Sequence, residues 1–324
     1  MKVRATLVPP SPARLTWLDL FRGACVVGMV ETHVLHTFLV GASRETPWYL
    51  WLNYFNGLIA PAFLFIAGYV QGLGMRHAEG AHRNFGRKAR RLAGVWLLGY
   101  ALHFPTPQLL AGQWSEALRL GTQVDVLQCL AVSLAVLLAA EYWARRWVDG
   151  IAKALATMAV LGTGMIADWH AMPAWILGYF NSSEGSLFPL FPWAGFICTG
   201  FLVSSVTRWI AWDPAFNVAL LFAFASMSDG SLGFFAQRLA VILVAVPPMQ
   251  WFAARWQPAW LLFVGRESLV FYAAHLVLIE IFAMTVLPRA GFGVAACAMI
   301  FAAVLATTAA IALVWTWRRT LRRS

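Results

Sequence analysis

The sequence is short of charge. Only 12% of its 324 residues are Asp, Glu, Lys or Arg, about half the share found in a soluble globular domain. That excludes an ordinary water-soluble domain. Cysteine is scarce too. Cys25, Cys129, Cys198 and Cys297 each fall inside an apolar block, and none forms a C-x-x-C pair. A disulfide framework or a cysteine zinc site is therefore not expected, and the four read as small buried hydrophobes. The chain shows no P-loop, G-x-S-x-G elbow, dinucleotide-binding glycine fingerprint or cluster with metal-ligand spacing, so no metal is expected. The absence of an evident internal repeat leaves solenoid and inverted-repeat architectures without support.

What is present is apolar. Hydrophobic residues make up 60% of the chain, and they run in long blocks such as 130–140, 239–246 and 295–314. Blocks of about 20 apolar residues match the hydrocarbon core of a bilayer. The expected fold is all-α: a polytopic membrane helix bundle of ten spans, forming a single transmembrane domain over residues 1–324. The spans fall at 17–40, 55–75, 92–110, 124–143, 151–168, 187–206, 214–228, 234–252, 267–287 and 293–316. The seventh is short enough to be re-entrant, and 257–265 can add a half-helix.

The net charge of +10 sits in short segments between apolar blocks, not on a solvated face, so nucleic acid is not an expected partner. Loop 76–91 carries Arg76, Arg83, Arg87, Lys88, Arg90 and Arg91. Arg145, Arg146, Lys153, Arg208, Arg255, Arg318, Arg319, Arg322 and Arg323 fall on the same side if ten spans alternate. The other side has only Arg44, Arg119 and Arg289 in its loops. The positive-inside rule makes the rich side cytoplasmic and puts both termini there. The first block follows Lys2, Arg4 and Arg14 without a small-residue cleavage site and reads as a retained span. Trp48, Tyr49, Trp51 and Tyr54 lie between the first two spans, and Trp143, Trp147, Trp209, Trp212, Trp315 and Trp317 at other ends. All suit the headgroup zone.

Ionisable residues inside a span cost a few kcal/mol, about 2.5–3.5 on insertion scales, unless paired or facing a wet cavity, and so are functional candidates by default. The first span holds Asp19, Arg22, Glu31, His33 and His36. Asp19, Arg22, Val26, Met29, His33 and His36 recur at steps of three and four, which makes one helical stripe. Asp19 and Arg22 can pair; they either secure the helix end or serve function. Arg22 and His33 share a face about 16 Å apart along the axis, with Arg22 near the cytoplasmic boundary and His33 past the bilayer middle. Glu31 points elsewhere. In the ninth span Arg266 precedes Ser268, Tyr272 and His275, which share a face; Glu280 lies on another. Either set is a polar helix–helix contact or part of a site. Asp125 and Gln128 open the fourth span, where Asp125 can complement the helix dipole. The prolines of 188–196 suit a helix start with close packing.

These segments carry a resemblance. Arg14-Leu15-x-x-Leu18-Asp19-x-x-Arg22-Gly23 followed by Gly28-Met29-Val30-Glu31-Thr32-His33 resembles the start of bacterial members of the heparan-alpha-glucosaminide N-acetyltransferase family. Asp125-Val126-Leu127-Gln128, Phe191-Pro192-Trp193-Ala194-Gly195 and Gly265-Arg266-x-Ser268-Leu269-x-x-Tyr272-x-x-His275 look like that family's later signatures, in order. The Arg22–x10–His33 spacing is similar to that of related membrane acyltransferases acting on surface polysaccharides. The resemblance implies an enzyme of the bacterial inner membrane that moves an acyl group from cytoplasmic acyl-CoA, acetyl-CoA above all, to a glycan or amino-sugar acceptor on the far side. It implies catalytic roles for His33, Glu31 and His275, and donor binding by Arg22, Asp19, Arg266 and Ser268; a homodimer is a further expectation. A neutral imidazole can take a proton from a hydroxyl or attack a thioester. The family's eukaryotic enzyme has its proposed acyl-accepting histidine in the loop after the first span. This chain has no histidine between Ala42 and Asn56, which favours His33 as general base or acyl carrier. Two other classes compete: a proton-coupled transporter or flippase using His33, Glu31, His275 and Glu280, and a catalytically silent ligand-binding relative.

Overall fold

The computed structural model describes residues 15–75, 81–143, 174–180, 186–206, 230–285 and 289–322. The expected spans 151–168 and 214–228 lie outside the described residues, as do the basic residues Arg76, Arg145, Arg146, Lys153 and Arg208. Among the described residues the structure is helical and contains no strand; one parallel bridge joins Leu39 to Phe292. The helices are α1 (Thr16–Phe38), α2 (Gly41–Arg44), α3 (Pro47–Asn56), α4 (Ile59–Met75), α5 (Ala81–Leu102), α6 (Thr106–Leu110), α7 (Trp114–Gly121), α8 (Val126–Trp143), α9 (Ala174–Phe180), α10 (Leu190–Val206), α11 (Gly230–Arg255), α12 (Ala259–Arg266), α13 (Ser268–Thr285) and α14 (Val294–Leu321). Four described helices are long and apolar enough to cross a membrane, or five if α7 and α8 form one bent span. Helices suit that setting because they satisfy their own backbone groups where water is absent.

α1 is the central element. Leu20, Val26, Val30, Val34 and Phe38 are completely buried, and the helix packs against α4, α11, α12, α13 and α14. Its approach to α12 depends on glycine. A Cβ on Gly265 would meet the backbone oxygen of Asp19, and one on Gly23 would meet that of Leu261. The α4–α10 pair is built the same way: Cβ atoms on Gly68 and Gly200 would strike the backbone of Ile197 and Phe65. Small residues let helix backbones touch where hydrophobic burial gives no drive for association. On the far side of the bundle α5 pairs with α8, through the Phe85–Tyr142 ring contact and the packing of Gly99 on Gln128.

Several boundaries differ from the sequence expectation. Arg87, Lys88, Arg90 and Arg91 are not in a loop but in α5, which starts at Ala81. Arginine, lysine and alanine are strong helix formers, so the helix extends past the apolar block. The same helix ends at Leu102 rather than 110, because Pro105 and Pro107 cannot continue the backbone ladder. The aromatic residues Trp48, Tyr49, Trp51 and Tyr54 form helix α3, not a plain connection; α3 runs with α4 into one long apolar stretch, Pro47–Leu73. In α10 Phe191 is extended, with φ −102° and ψ 127°, so regular helix begins at Pro192, where a missing N–H costs nothing. The stretch 257–265 is indeed helical, as α12.

The contacts define two ends. At one, Asp19, Arg22, Arg266, Ser268, Glu267 and Arg319 meet. At the other, Val40 N–H donates to Phe292 O at 2.9 Å and Phe292 N–H to Phe38 O at 3.0 Å, so the segment before α14 clasps the end of α1. The start of α1 and the end of α14 therefore share an end.

Candidate functional site

The polar stripe of α1 faces α12 and α13. At its first turn the Asp19 carboxylate is buried and accepts from Arg266 Nε at 3.4 Å. One turn on, Arg22 Nη2 donates to the buried Ser268 Oγ at 2.7 Å. Two turns further along α13 lies His275, completely buried, its ring 5.3 Å from that of His33. Six of the seven residues to which the resemblance gives a role thus form three matched levels: Asp19 with Arg266 at the end of α12, then Arg22 with Ser268 and His33 with His275 on α13, which runs parallel to α1.

Glu31, the seventh, projects to a different neighbour. Its carboxylate accepts from Asn56 Nδ2 at 2.9 Å, while Oε1 is buried without a hydrogen-bond partner. His36 is exposed and lies 3.2 Å from Asn53 Oδ1. Near this group Arg238, on α11, donates to Gly57 O at 3.2 Å and stacks over Phe234. Arg238 is a charged residue inside an apolar block and was legible as such; it belongs to no α1 or α13 periodicity, which is why spacing passes over it. Glu280 is away from all of this, exposed and paired with Arg289 at 2.8 Å. Exposed ion pairs contribute about 0–1 kcal/mol, so Glu280→Gln should leave thermal stability within about 0.5 kcal/mol; unfolding curves check this.

The tautomer of His275 follows from its contacts. Nδ1 is 2.7 Å from the carbonyl oxygen of Phe271, and a carbonyl only accepts, so Nδ1 carries the hydrogen. Nε2 is then a lone-pair acceptor, buried and without a partner. A buried acceptor with no donor is rare and calls for an account. Here it sits beside the His33 ring.

Three further residues adjoin the pair. The Tyr272 ring packs edge-on against His275 at 5.6 Å, and its hydroxyl donates to Asp125 Oδ2 at 2.9 Å. His103 Nε2 lies 3.5 Å from the same oxygen. Asp125 does more than face a helix dipole. Its backbone N–H is bound by Gln128 Oε1 at 3.2 Å, half of a capping box, and its carboxylate serves Tyr272 and His103. The sequence offers little signal for His103, which looks like one polar residue in an apolar block. Among the described residues no group of His, Cys, Asp and Glu could hold a metal ion.

Among the described residues, helices without strands, apolar faces turned outward and a seam of ionisable side chains turned inward define a polytopic membrane protein with a histidine pair in its interior. Residues 14–237 match the family model described as heparan-alpha-glucosaminide N-acetyltransferase, catalytic. That is well over half of the chain, and the protein belongs to this family of acetyltransferase-type membrane proteins. The matched stretch contains Asp19, Arg22, Glu31, His33, His103 and Asp125; Arg266, Ser268, Tyr272 and His275 lie beyond it. No curated protein matches the chain.

Proposed function

We propose that this protein is a transmembrane acyltransferase that takes an acetyl group from cytoplasmic acetyl-CoA and passes it to a sugar or other acceptor on the opposite face of a bacterial inner membrane. The observation that carries the reading is the His33–His275 contact, set between an arginine-rich end and the Glu31–Asn56 end of the same bundle. The chain acts as one unit, because the site draws on residues inside and beyond the matched stretch.

The arginine-rich end is the donor side. Arg87, Lys88, Arg90, Arg91, Arg255, Arg266, Arg318, Arg319 and Arg322 belong to it by helix direction, against Arg44, Arg119, Arg238 and Arg289 at the other. The positive-inside rule makes it cytoplasmic, with both termini. Arg22 and the half-exposed Arg266 offer guanidinium groups to the phosphates of the donor, with Asp19 and Ser268 fixing their directions. His33 then acts in one of two ways. As general base it takes the proton of the acceptor's hydroxyl or amine while that atom attacks the thioester carbonyl. As carrier it attacks the carbonyl itself, forms an acyl-imidazole and hands the acetyl group on. In either case the unpartnered Nε2 of His275 is an acceptor at hand, and the free oxygen of Glu31 awaits a donor from the acceptor molecule.

The donor half of this reading has a direct test. A ligand that binds only the folded state raises apparent stability by about 2.7 kcal/mol at a concentration 100 times its Kd. CoA and acetyl-CoA should therefore raise the unfolding temperature of the detergent-purified protein, and Arg22→Ala combined with Arg266→Ala should abolish the rise. No rise in the unaltered protein, in scanning fluorimetry, would remove the acyl-CoA donor.

A further inference from the structure

Gln128 is the third residue of α8, and its side chain is completely buried. Its amide is oriented by one contact. The Asp125 backbone N–H meets it at 3.2 Å, and an N–H only donates, so the atom that receives it is Oε1. The other atom is then Nε2, which carries two hydrogens and is buried without an acceptor. A buried donor with nothing to donate to is rare and costs stability. The amide is also confined. A Cβ on Gly99 would lie 2.6 Å from Oε1 and 3.1 Å from Nε2, so α5 closes over it and leaves little room for it to turn.

The height of Gln128 in the bundle follows from helix contacts. Phe85 of α5 meets Tyr142 of α8, and Gly99 meets Gln128. The two helices are therefore antiparallel, and α8 runs towards the arginine-rich end. Its first turn is tied to the histidine pair. Asp125 accepts from Tyr272, whose ring packs on His275, and it lies within electrostatic reach of His33. Gln128 is three residues, about 4.5 Å of helix, further towards the donor end. A thioester that comes from that end and presents its carbon to His33 brings its carbonyl oxygen to this level. The two orphan atoms of this region also have opposite senses: His275 Nε2 accepts and Gln128 Nε2 donates. Acyl transfer needs one of each.

We propose that Gln128 Nε2 donates a hydrogen bond to the carbonyl oxygen of the acetyl thioester and to the oxyanion that forms from it. The proposal rests on the acyl-transfer reading. The attacking atom, the acceptor's own or a His33 nitrogen, places an electron pair on the acyl carbon, and the C=O pair moves onto oxygen. A fixed donor aimed at that oxygen stabilises the charge as it develops. The oxyanion then collapses, the C–S bond breaks, and its pair leaves with sulfur. Over the whole turnover the acceptor gives up one proton and the thiolate takes up one. Gln128 touches the reacting atoms, so its role is catalytic.

Infrared difference spectroscopy on the detergent-purified protein tests this, with acetyl-CoA isotope-labelled at the carbonyl carbon. Binding should move the thioester carbonyl stretch to lower frequency. In Gln128→Met the bound band should stay at the frequency of the free thioester, while acetyl-CoA still raises the unfolding temperature. The kcat for CoA release, with glucosamine and glucose as amine and hydroxyl probes, should fall roughly a hundredfold or more, with the KM for acetyl-CoA unchanged. A merely structural role would lower yield and leave the bound band shifted. Should the methionine variant not purify, Gln128→Asn, which withdraws the amide by one carbon, is read in its place. An unshifted band in the unaltered protein, the same shift in the variant, or an unchanged kcat overturns the role of Gln128 while the acyl-transfer reading stands. No rise in unfolding temperature with acetyl-CoA, or no CoA release by the unaltered protein, overturns that reading and the proposal with it.

Discussion

Replacing His33 with alanine should abolish acetyl transfer while the protein still inserts, purifies and elutes as the native form does. General base and nucleophilic roles each contribute at least about a hundredfold in rate, so turnover should fall to the level of a no-enzyme control. The structure gives reasons to expect folding to survive. His33 is only partly buried and forms a ring contact with His275. The packing of α1 rests instead on Val26, Val30, Val34 and Phe38. His275→Ala is the companion: it should cost turnover as well, and it also removes the buried Nε2 acceptor. CoA-induced stabilisation should persist in His33→Ala, since Arg22 and Arg266 are about three turns away by helix geometry. Full turnover in His33→Ala would remove its proposed role.

The largest effect on stability is expected at the α4–α10 crossing. In Gly68→Leu the new Cβ would overlap the carbonyl oxygen of Ile197, with its carbonyl carbon at 2.7 Å and its Cα at 2.9 Å. The obstruction is backbone, so no rotamer change relieves it. Overpacking usually costs about 1–3 kcal/mol; parting two helices along Gly68, Gly72 and Gly200 should exceed that range and leave little monodisperse protein. The matched control is Gly94→Ala on α5, where a Cβ meets nothing within 4 Å. Alanine is better than glycine in a helix interior by about 0.5–1 kcal/mol, so this variant should melt at the same temperature or higher. Thermal unfolding with size-exclusion chromatography separates the two cases.

Much of the fold was legible because the bilayer imposes length and polarity on each span. The apolar blocks at 234–252, 267–287 and 293–316 correspond to α11, α13 and α14 within a few residues. The α1 stripe was legible for a different reason: a period of 3.6 puts Asp19, Arg22 and His33 on one face whatever the neighbours are. Where that face points was not legible, since Ser268 is 246 positions from Arg22 in sequence. The same holds for Asp125, which meets Tyr272 across 147 positions. An isolated residue such as His103 has no local pattern to reveal it. The start of α5 was hidden by its own basic residues, which read equally well as loop or as exposed helix.

The glycine contact between α1 and α12 has a mechanical meaning. With Gly23 against the Leu261 carbonyl and Gly265 against that of Asp19, α1 is pinned near one end, backbone to backbone, and can neither roll nor slide there without parting the pair. The far end is held by other means: buried Val34 and Phe38, main-chain bonds to the segment before α14, and Arg44, which donates to Leu39 O and His36 O. The donor end is therefore locked by backbone shape, and a side chain larger than hydrogen at either glycine would shift Asp19 and Arg22 together.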